Sequence, residues 1–275
     1  MFTVIMHINF AAENTETQRE SINNSVLLCI QWRQNTINLT PETNRHMRKY
    51  TGNLLFVILT LLLSRVAFCQ AFSYPSFNKS IKTIDNLLSS DWILKDSAAG
   101  DLNGDNLPDL VVVTQWKDTI EELRPDNTVN VGSPRILLIF FMNSKTGNFD
   151  LALQHNTFII RYGEGGMDPE AYGKVSIKNK VLDIFYSLLR GHAEYKFRYQ
   201  ESDFYLIGAT TGGESGGQID YWDINFLTKK AKHEWGDISD EKLKAKWVNV
   251  PVQKLKRLKD LPMQFSWEVM PYVFI

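Results

Sequence analysis

Four oxygen-bearing side chains stand at fixed intervals in Asp101-Leu-Asn103-Gly-Asp105-Asn106-Leu107-Pro-Asp109, at positions one, three, five and nine of the run. Carboxylates and amides at alternate positions of a tightly curled loop turn every second oxygen inward, which is how a hard cation collects its ligands. The backbone carbonyl of Leu107 falls at position seven, so the candidate Ca2+ ligands are Asp101, Asn103, Asp105, Leu107 and Asp109. An EF-hand is excluded: Val112 stands where the bidentate Glu belongs, Asn106 replaces Gly, and Asp109-Leu-Val-Val-Val reads as a strand rather than a helix. Asn106 still suits the left-handed conformation that such a loop requires. The other use of the same residues is a tight turn held by side-chain to backbone hydrogen bonds. Three carboxylates are a modest charge for the ion, so the expected Kd is weak, of order 10⁻⁴ to 10⁻³ M, suited to a calcium-rich exterior.

The loop with its following strand resembles the FG-GAP/VCBS type of repeat, whose pattern is Asp-x-Asn-x-Asp-x-x-x-Asp leading into a strand. The match runs from about Trp92 to about Thr114. The resemblance implies a calcium site of the kind carried on β-propeller blades, and it implies no activity. The chain is also similar to exported bacterial proteins with one such loop ahead of strands such as Tyr195-Lys-Phe-Arg-Tyr199 and Phe204-Tyr-Leu-Ile-Gly208.

Other chemistry is thinner. Glu164, Asp168 and Glu170 share one loop, and Glu164 with Asp168 would serve a glycoside-type hydrolysis only if held about 5–10 Å apart across a cleft. Gly213-Glu-Ser215-Gly-Gly217 matches a nucleophile elbow and resembles a trypsin-like segment. The only later histidine, His233, precedes Asp237 and Asp240, and the context predicts a Gly-rich hairpin instead. His155, His192 and His233 lack zinc spacing and read as surface or satisfied strand residues.

These residues sit in a chain whose beginning reads differently from its remainder. Residues 1–46 show no sustained period and are expected to be an upstream extension of disordered character ahead of a true start at Met47. Basic Met47-Arg-Lys49, the apolar run Leu54 to Leu63 and Ala67-Phe-Cys69 follow the plan of a signal peptide over 47–69. The apolar run is shorter than the twenty or so residues of a comfortable membrane span. Phe68 stands where lipid attachment at Cys69 wants a small residue. Cleavage after Cys69 or Gln70 leaves a mature single domain without a cysteine, since Cys29 is the only other one. Without residues 1–69, Lys and Arg number 24 against 27 Asp and Glu. That slightly acidic balance argues against nucleic acid as a partner.

The mature chain reads as strands. Ile81 to Leu88 suits a short helix or strand, and Trp92 to Leu94 leads into the loop. Arg135 to Met142 is continuously apolar after its first residue, the mark of a central strand covered on both faces. Phe149, Leu151 and Leu153 alternate with polar or small residues. So do the flanks of Asn179, a hairpin tip, and Tyr195, Phe197 and Tyr199. Further strands are expected at Phe204–Ile207 and Ile219–Leu227. The Lys-rich stretch from Lys229 to Lys259 reads as a solvated face, ending in a short helix marked by Val252, Leu255 and Leu258. Phe265–Ile275 is a last strand, with Trp267, Val269, Tyr272 and Phe274 sealing the core.

The expected fold is therefore all-β over 70–275: antiparallel meanders forming propeller-like blades or a β-sandwich, with a short C-terminal helix. The expected function is non-enzymatic binding of a protein or glycan by an exported, periplasmic or extracellular calcium-binding protein with no membrane span in its mature chain. The alternative is a secreted, carbohydrate-active hydrolase using the acids at 164–170.

Overall fold

In chain order the strands are β1 (Ser80–Ile81), β2 (Trp92–Gly100), β3 (Asp109–Trp116), β4 (Ile120–Leu123), β5 (Val129–Gly132), β6 (Arg135–Asn143), β7 (Asn148–His155) and β8 (Tyr172–Lys178). There follow β9 (Val181–Leu188), β10 (Gly191–Gln200), β11 (Asp203–Ser215), β12 (Gln218–Asn225), β13 (Lys230–Asp237), β14 (Lys244–Asn249), β15 (Glu268–Met270) and β16 (Val273–Phe274). This is a computed structural model, and it describes residues 72–123, 129–165 and 167–275. The expected extension at 1–46 and the signal segment at 47–69, with both cysteines, lie outside the described residues. Among the described residues, no helix is long and apolar enough to cross a membrane.

All pairings are antiparallel. A five-stranded sheet runs β1-β7-β6-β3-β2, and a seven-stranded meander runs from β14 to β8 in unbroken sequence order. Their facing sides share one core: Val111, Val113, Leu137 and Ile139 from the first sheet meet Leu182, Ile184, Tyr195, Phe197 and Leu206 from the second. That is a β-sandwich, and the five- and seven-stranded sheets are not propeller blades.

The far side of the five-stranded sheet is also covered. Leu110, Val112, Ile136, Leu138 and Phe140 lie beneath Ile81, Leu87 and Trp92, with Phe72, Tyr74, Phe77 and Trp116 packed around them. Trp92 meets Trp116 edge-on at 5.4 Å, an arrangement that adds about 0.5–1.5 kcal/mol beyond area burial. Two covered faces explain why Leu110–Val113 of β3 and Ile136–Met142 of β6 are apolar at every step: neither parity of side chain turns to open water.

The meander follows the expected alternation. Tyr195 and Phe197 are buried on one face, with Tyr199 packed against the same core. Three of its hairpins turn on pairs of left-handed residues, Asn179-Lys180, Glu201-Ser202 and Gly216-Gly217. Positive φ at both central residues defines the type I′ turn, whose twist matches that of the flanking strands. Asn179 is thus a hairpin tip, and Gly213-Glu-Ser215-Gly-Gly217 is a strand end with its turn, not a nucleophile elbow.

Three local expectations are corrected. Leu153 leaves the face of Phe149 and Leu151, because a register shift between Ile139 and Phe140 inserts an extra residue in β7 and turns Leu153 toward the shared core. The C-terminal helix is only a 3-10 turn over Leu258–Asp260. Upstream of it the chain runs extended beside β11, where Leu206 N–H donates to the Lys256 carbonyl at 2.8 Å and Tyr205 bridges to Arg257, so helical hydrogen bonds cannot form. Phe265–Ile275 folds as a hairpin of β15 and β16 rather than one strand. Val269 is buried, whereas Tyr272 and Phe274 are exposed at its tip and edge.

Where β2 passes β8, Asp96 at a bulge of β2 accepts from the Tyr172 hydroxyl at 2.7 Å and from Val175 N–H at 2.9 Å.

Candidate functional site

The loop 101–108 joins β2 to β3, and its oxygens organise its own backbone. Asp101 accepts from Gly104 N–H at 2.6 Å and Asn106 N–H at 3.1 Å. Asn103 accepts from Asp105 N–H at 2.9 Å, and Asp105 from Leu107 N–H at 2.8 Å. Gly104 and Asn106 both take positive φ, which Gly adopts freely and Asn tolerates. Burial works to raise the Asp101 carboxyl, but the N–H groups of Gly104 and Asn106 and the Lys180 ammonium outweigh it and hold it below the usual range. Lys180 Nζ stands 3.4 Å from Asp101 Oδ2.

Asp109 is used differently from the other loop acids. It is fully buried, and its carboxylate receives Leu102 N–H at 2.8 Å, Asn103 N–H at 3.2 Å and, from β6, Met142 N–H at 3.0 Å. Burial raises its pKa against those three donors. Asp109 therefore ties the start of the loop to the next strand of the sheet. Among the described residues no group of three or more His, Cys, Asp or Glu is gathered to hold a metal ion. The donors that touch in this loop are Asn103 and Asp105, with Nδ2 3.1 Å from Oδ2.

The acidic loop at 162–170 is bound into the scaffold. Glu170 forms a fork with the buried Arg135, at 2.8 and 2.6 Å, and also takes Lys95 at 2.7 Å. Arg135 further donates to Gln115 and the Ile160 carbonyl and lies over the Tyr172 ring. Glu164 accepts from Arg161 N–H at 2.7 Å, and Asp168 from Glu170 N–H at 3.0 Å. Glu164 and Asp168, the carboxylates of the hydrolase alternative, thus brace their own loop.

The histidines are packed against neighbours. His155 bonds to the Leu261 carbonyl through Nε2 and receives the N–H groups of Thr157 and Phe158 at Nδ1; burial lowers its pKa. His192 stacks between Phe185 and Tyr221. His233 is clasped between Trp222 at 3.9 Å and Trp235 at 4.6 Å, with Nε2 2.9 Å from Asp220 Oδ2.

That last cluster was not foreseen. Cross-strand register sets Trp222 opposite His233, and His233 opposite Lys246, whose ammonium lies over Trp235. Period-two reading places Asp220 with Trp222, and His233 with Trp235, on single faces, but only strand pairing joins the two pairs. Beside Trp222 opens a groove of about 560 Å³ reaching to the exposed Tyr272.

No protein-family model, curated protein or solved structure matches this chain.

Proposed function

We propose that the chain is an exported, calcium-supported binding module that engages a protein or glycan outside the cytoplasm and turns over no substrate. The supporting observation is the loop 101–109, whose hard oxygen donors alternate along a backbone curled by Gly104 and Asn106 in the left-handed region. Asp101, Asn103, Asp105 and the Leu107 carbonyl would supply oxygens to Ca2+, with Asp109 completing the set while anchoring the loop to β6. Hydrogen bonds from N–H groups leave at least one oxygen of each carboxylate with a lone pair for a cation. Lys180 is the resident countercharge, and the ion would displace it from Asp101. A binding role is favoured over hydrolysis because the acids at 164–170 are occupied by the backbone and by Arg135 and Lys95.

Thermal unfolding of the full chain in calcium and in chelator tests the proposal. At calcium ten to a hundred times Kd, the folded state should gain about 1.4–2.7 kcal/mol, read as a higher Tm. Asp105→Ala should lose most of that gain, while Lys180→Gln should shift the response to lower calcium. An unchanged Tm in the parent chain, or an undiminished calcium response in Asp105→Ala, refutes the site.

A further inference from the structure

We propose that the groove beside Trp222 is a carbohydrate site that seats a pyranose ring of a neutral polysaccharide chain. The inference gives the binding-module reading its ligand class and rests on that reading, but the groove is built from residues separate from the calcium loop.

The argument starts from strand register. Tyr195, Ala209, Ile224, Ala231 and Val248 form one row across β10 to β14, on the face that looks into the core. Two residues further along each strand, the same face carries Ala193, Thr211, Trp222, His233 and Lys246. Beyond these come Gly191, Gly213, Asp220, Trp235 and Lys244. Large rings therefore fill β12 and β13, while β10 and β11 present only Ala, Thr and Gly. Two strands without large side chains leave a slot roughly 10 Å wide, at strand spacings of about 4.8 Å. The glycines of the floor are required by backbone approach: a Cβ on Gly191 would lie 2.1 Å from the Gly212 carbonyl oxygen, and one on Gly213 would lie 2.3 Å from that of Arg190.

The wall is pre-organised. His233 covers one side of the Trp222 indole at 3.9 Å with an interplanar angle of 5°, and Trp235 backs His233 in turn. The stack holds Trp222 upright at the groove. Across from it stand Tyr272, 86% exposed, and Phe274 of the C-terminal hairpin. An aromatic wall rigid before binding offers the axial C–H groups of a pyranose an apolar face at little entropic cost.

The polar groups of the rim select the ligand. Asp220 and Ser215 accept hydroxyl protons, and Arg190 donates. Asp220 is fixed by His233 Nε2 at 2.9 Å. With the Asp220 carboxylate offsetting the Arg190 guanidinium, the rim has no surplus positive charge to hold a phosphate or uronate group, which separates a neutral sugar from a nucleotide or an acidic polysaccharide. A volume of about 560 Å³ lies within the range of small-ligand sites and accommodates one or two sugar units.

Affinity gel electrophoresis of the full chain tests this, in gels containing mixed-linkage β-glucan, arabinoxylan or galactomannan, with polygalacturonate as the acidic comparison. Retardation by at least one neutral polymer and none by polygalacturonate is expected. Trp222→Ala should weaken it about tenfold, the effect of losing one ring contact. Tyr272→Asn should weaken it as well. Tyr272 has a positive φ that Asn tolerates and makes no core contact, so that variant remains informative if Trp222→Ala folds poorly. Trp247→Ala, on the opposite face of the same sheet, should migrate as the parent. The proposal is overturned if no neutral polymer retards the chain, if polygalacturonate retards it equally, or if Tyr272→Asn and a folded Trp222→Ala both bind like the parent. Retardation without a calcium shift in Tm would refute the calcium loop and leave the groove standing. A calcium shift without retardation would do the reverse.

Discussion

The two sheets of this sandwich place their polar residues under opposite conditions. In the five-stranded sheet β3 and β6 are buried on both faces, so a charged residue there survives only with its full complement of partners. Arg135 has the Glu170 fork, Gln115 and the Ile160 carbonyl, and Asp109 has three N–H groups. The seven-stranded sheet buries part of one face and leaves the rest half-covered. There Asp183 Oδ1 and His233 Nδ1 are shielded from water yet have no hydrogen-bond partner. The first sheet pairs its buried charges and leaves the neutral Thr114 Oγ1 without a partner, whereas the second leaves atoms of a carboxylate and an imidazole unpaired.

The largest effect is expected at the first sheet. Glu170→Ala leaves the Arg135 guanidinium buried without its carboxylate and should cost about 3–5 kcal/mol in urea unfolding. Its pH signature has a definite sign. Although burial works to raise it, the hydrogen bonds and charges of Arg135 and Lys95 hold the Glu170 carboxyl below its usual 4.5. Its stabilisation is therefore present above about pH 4.5 and lost as the pH falls through the lower folded value. A Glu170→Ala loss within the range of a surface substitution would break the contrast between the sheets.

A smaller effect is expected at Asp109→Asn, where the new amide NH₂ faces backbone donors. About 1–3 kcal/mol should be lost by the same assay even in chelator, with a further loss in calcium. This separates Asp109 from the exposed Asp105, whose removal should cost more in calcium than in chelator. A loss confined to calcium would mean that Asp109 acts through the ion alone.

The smallest change should appear at the second sheet, with the opposite response to acid. Burial first, then the hydrogen bond and charge of the neighbouring Glu194, push the Asp183 carboxyl up to about 7. A raised carboxyl favours the folded state when protonated, so its contribution grows as the pH falls from about 7 toward the ordinary 3.8. Asp183→Asn should flatten the stability profile across that window. A profile with the same slope in Asp183→Asn and the parent would assign the proton elsewhere.

Legibility in the sequence divided along the same line. Continuous apolarity from Ile136 to Met142 announced a strand covered twice, and alternation from Tyr195 to Tyr199 announced one covered once, because the period of the side chains is the period of burial. Asn179 declared its turn through its tolerance of positive φ. Leu153 could not be placed, since one bulged residue reverses facing without altering the pattern of residue types. Val252, Leu255 and Leu258 had helical spacing, but hydrogen bonding to β11 outweighed local preference. Asp109 looked like one more oxygen donor, and nothing in its spacing told that β6 would supply Met142 N–H. The Trp222–His233–Trp235 stack was hidden for a related reason: its members belong to two strands, and only their register brings them together.

The bond from Asp96 to Val175 N–H carries a consequence for how copies of the protein meet. β8 is one rim of the seven-stranded sheet, where unpaired amides invite another chain to add a strand. Asp96 occupies one of those amides with a side chain from the other sheet, and the Tyr172 hydroxyl holds the same carboxylate in place. At the opposite rim, β14 presents Lys244 and Lys246. One rim is stoppered and the other is guarded by like charge, so the meander resists growing strand by strand into fibrils, and concentrated solutions should stay clear longest where both the carboxylate and the lysines are charged.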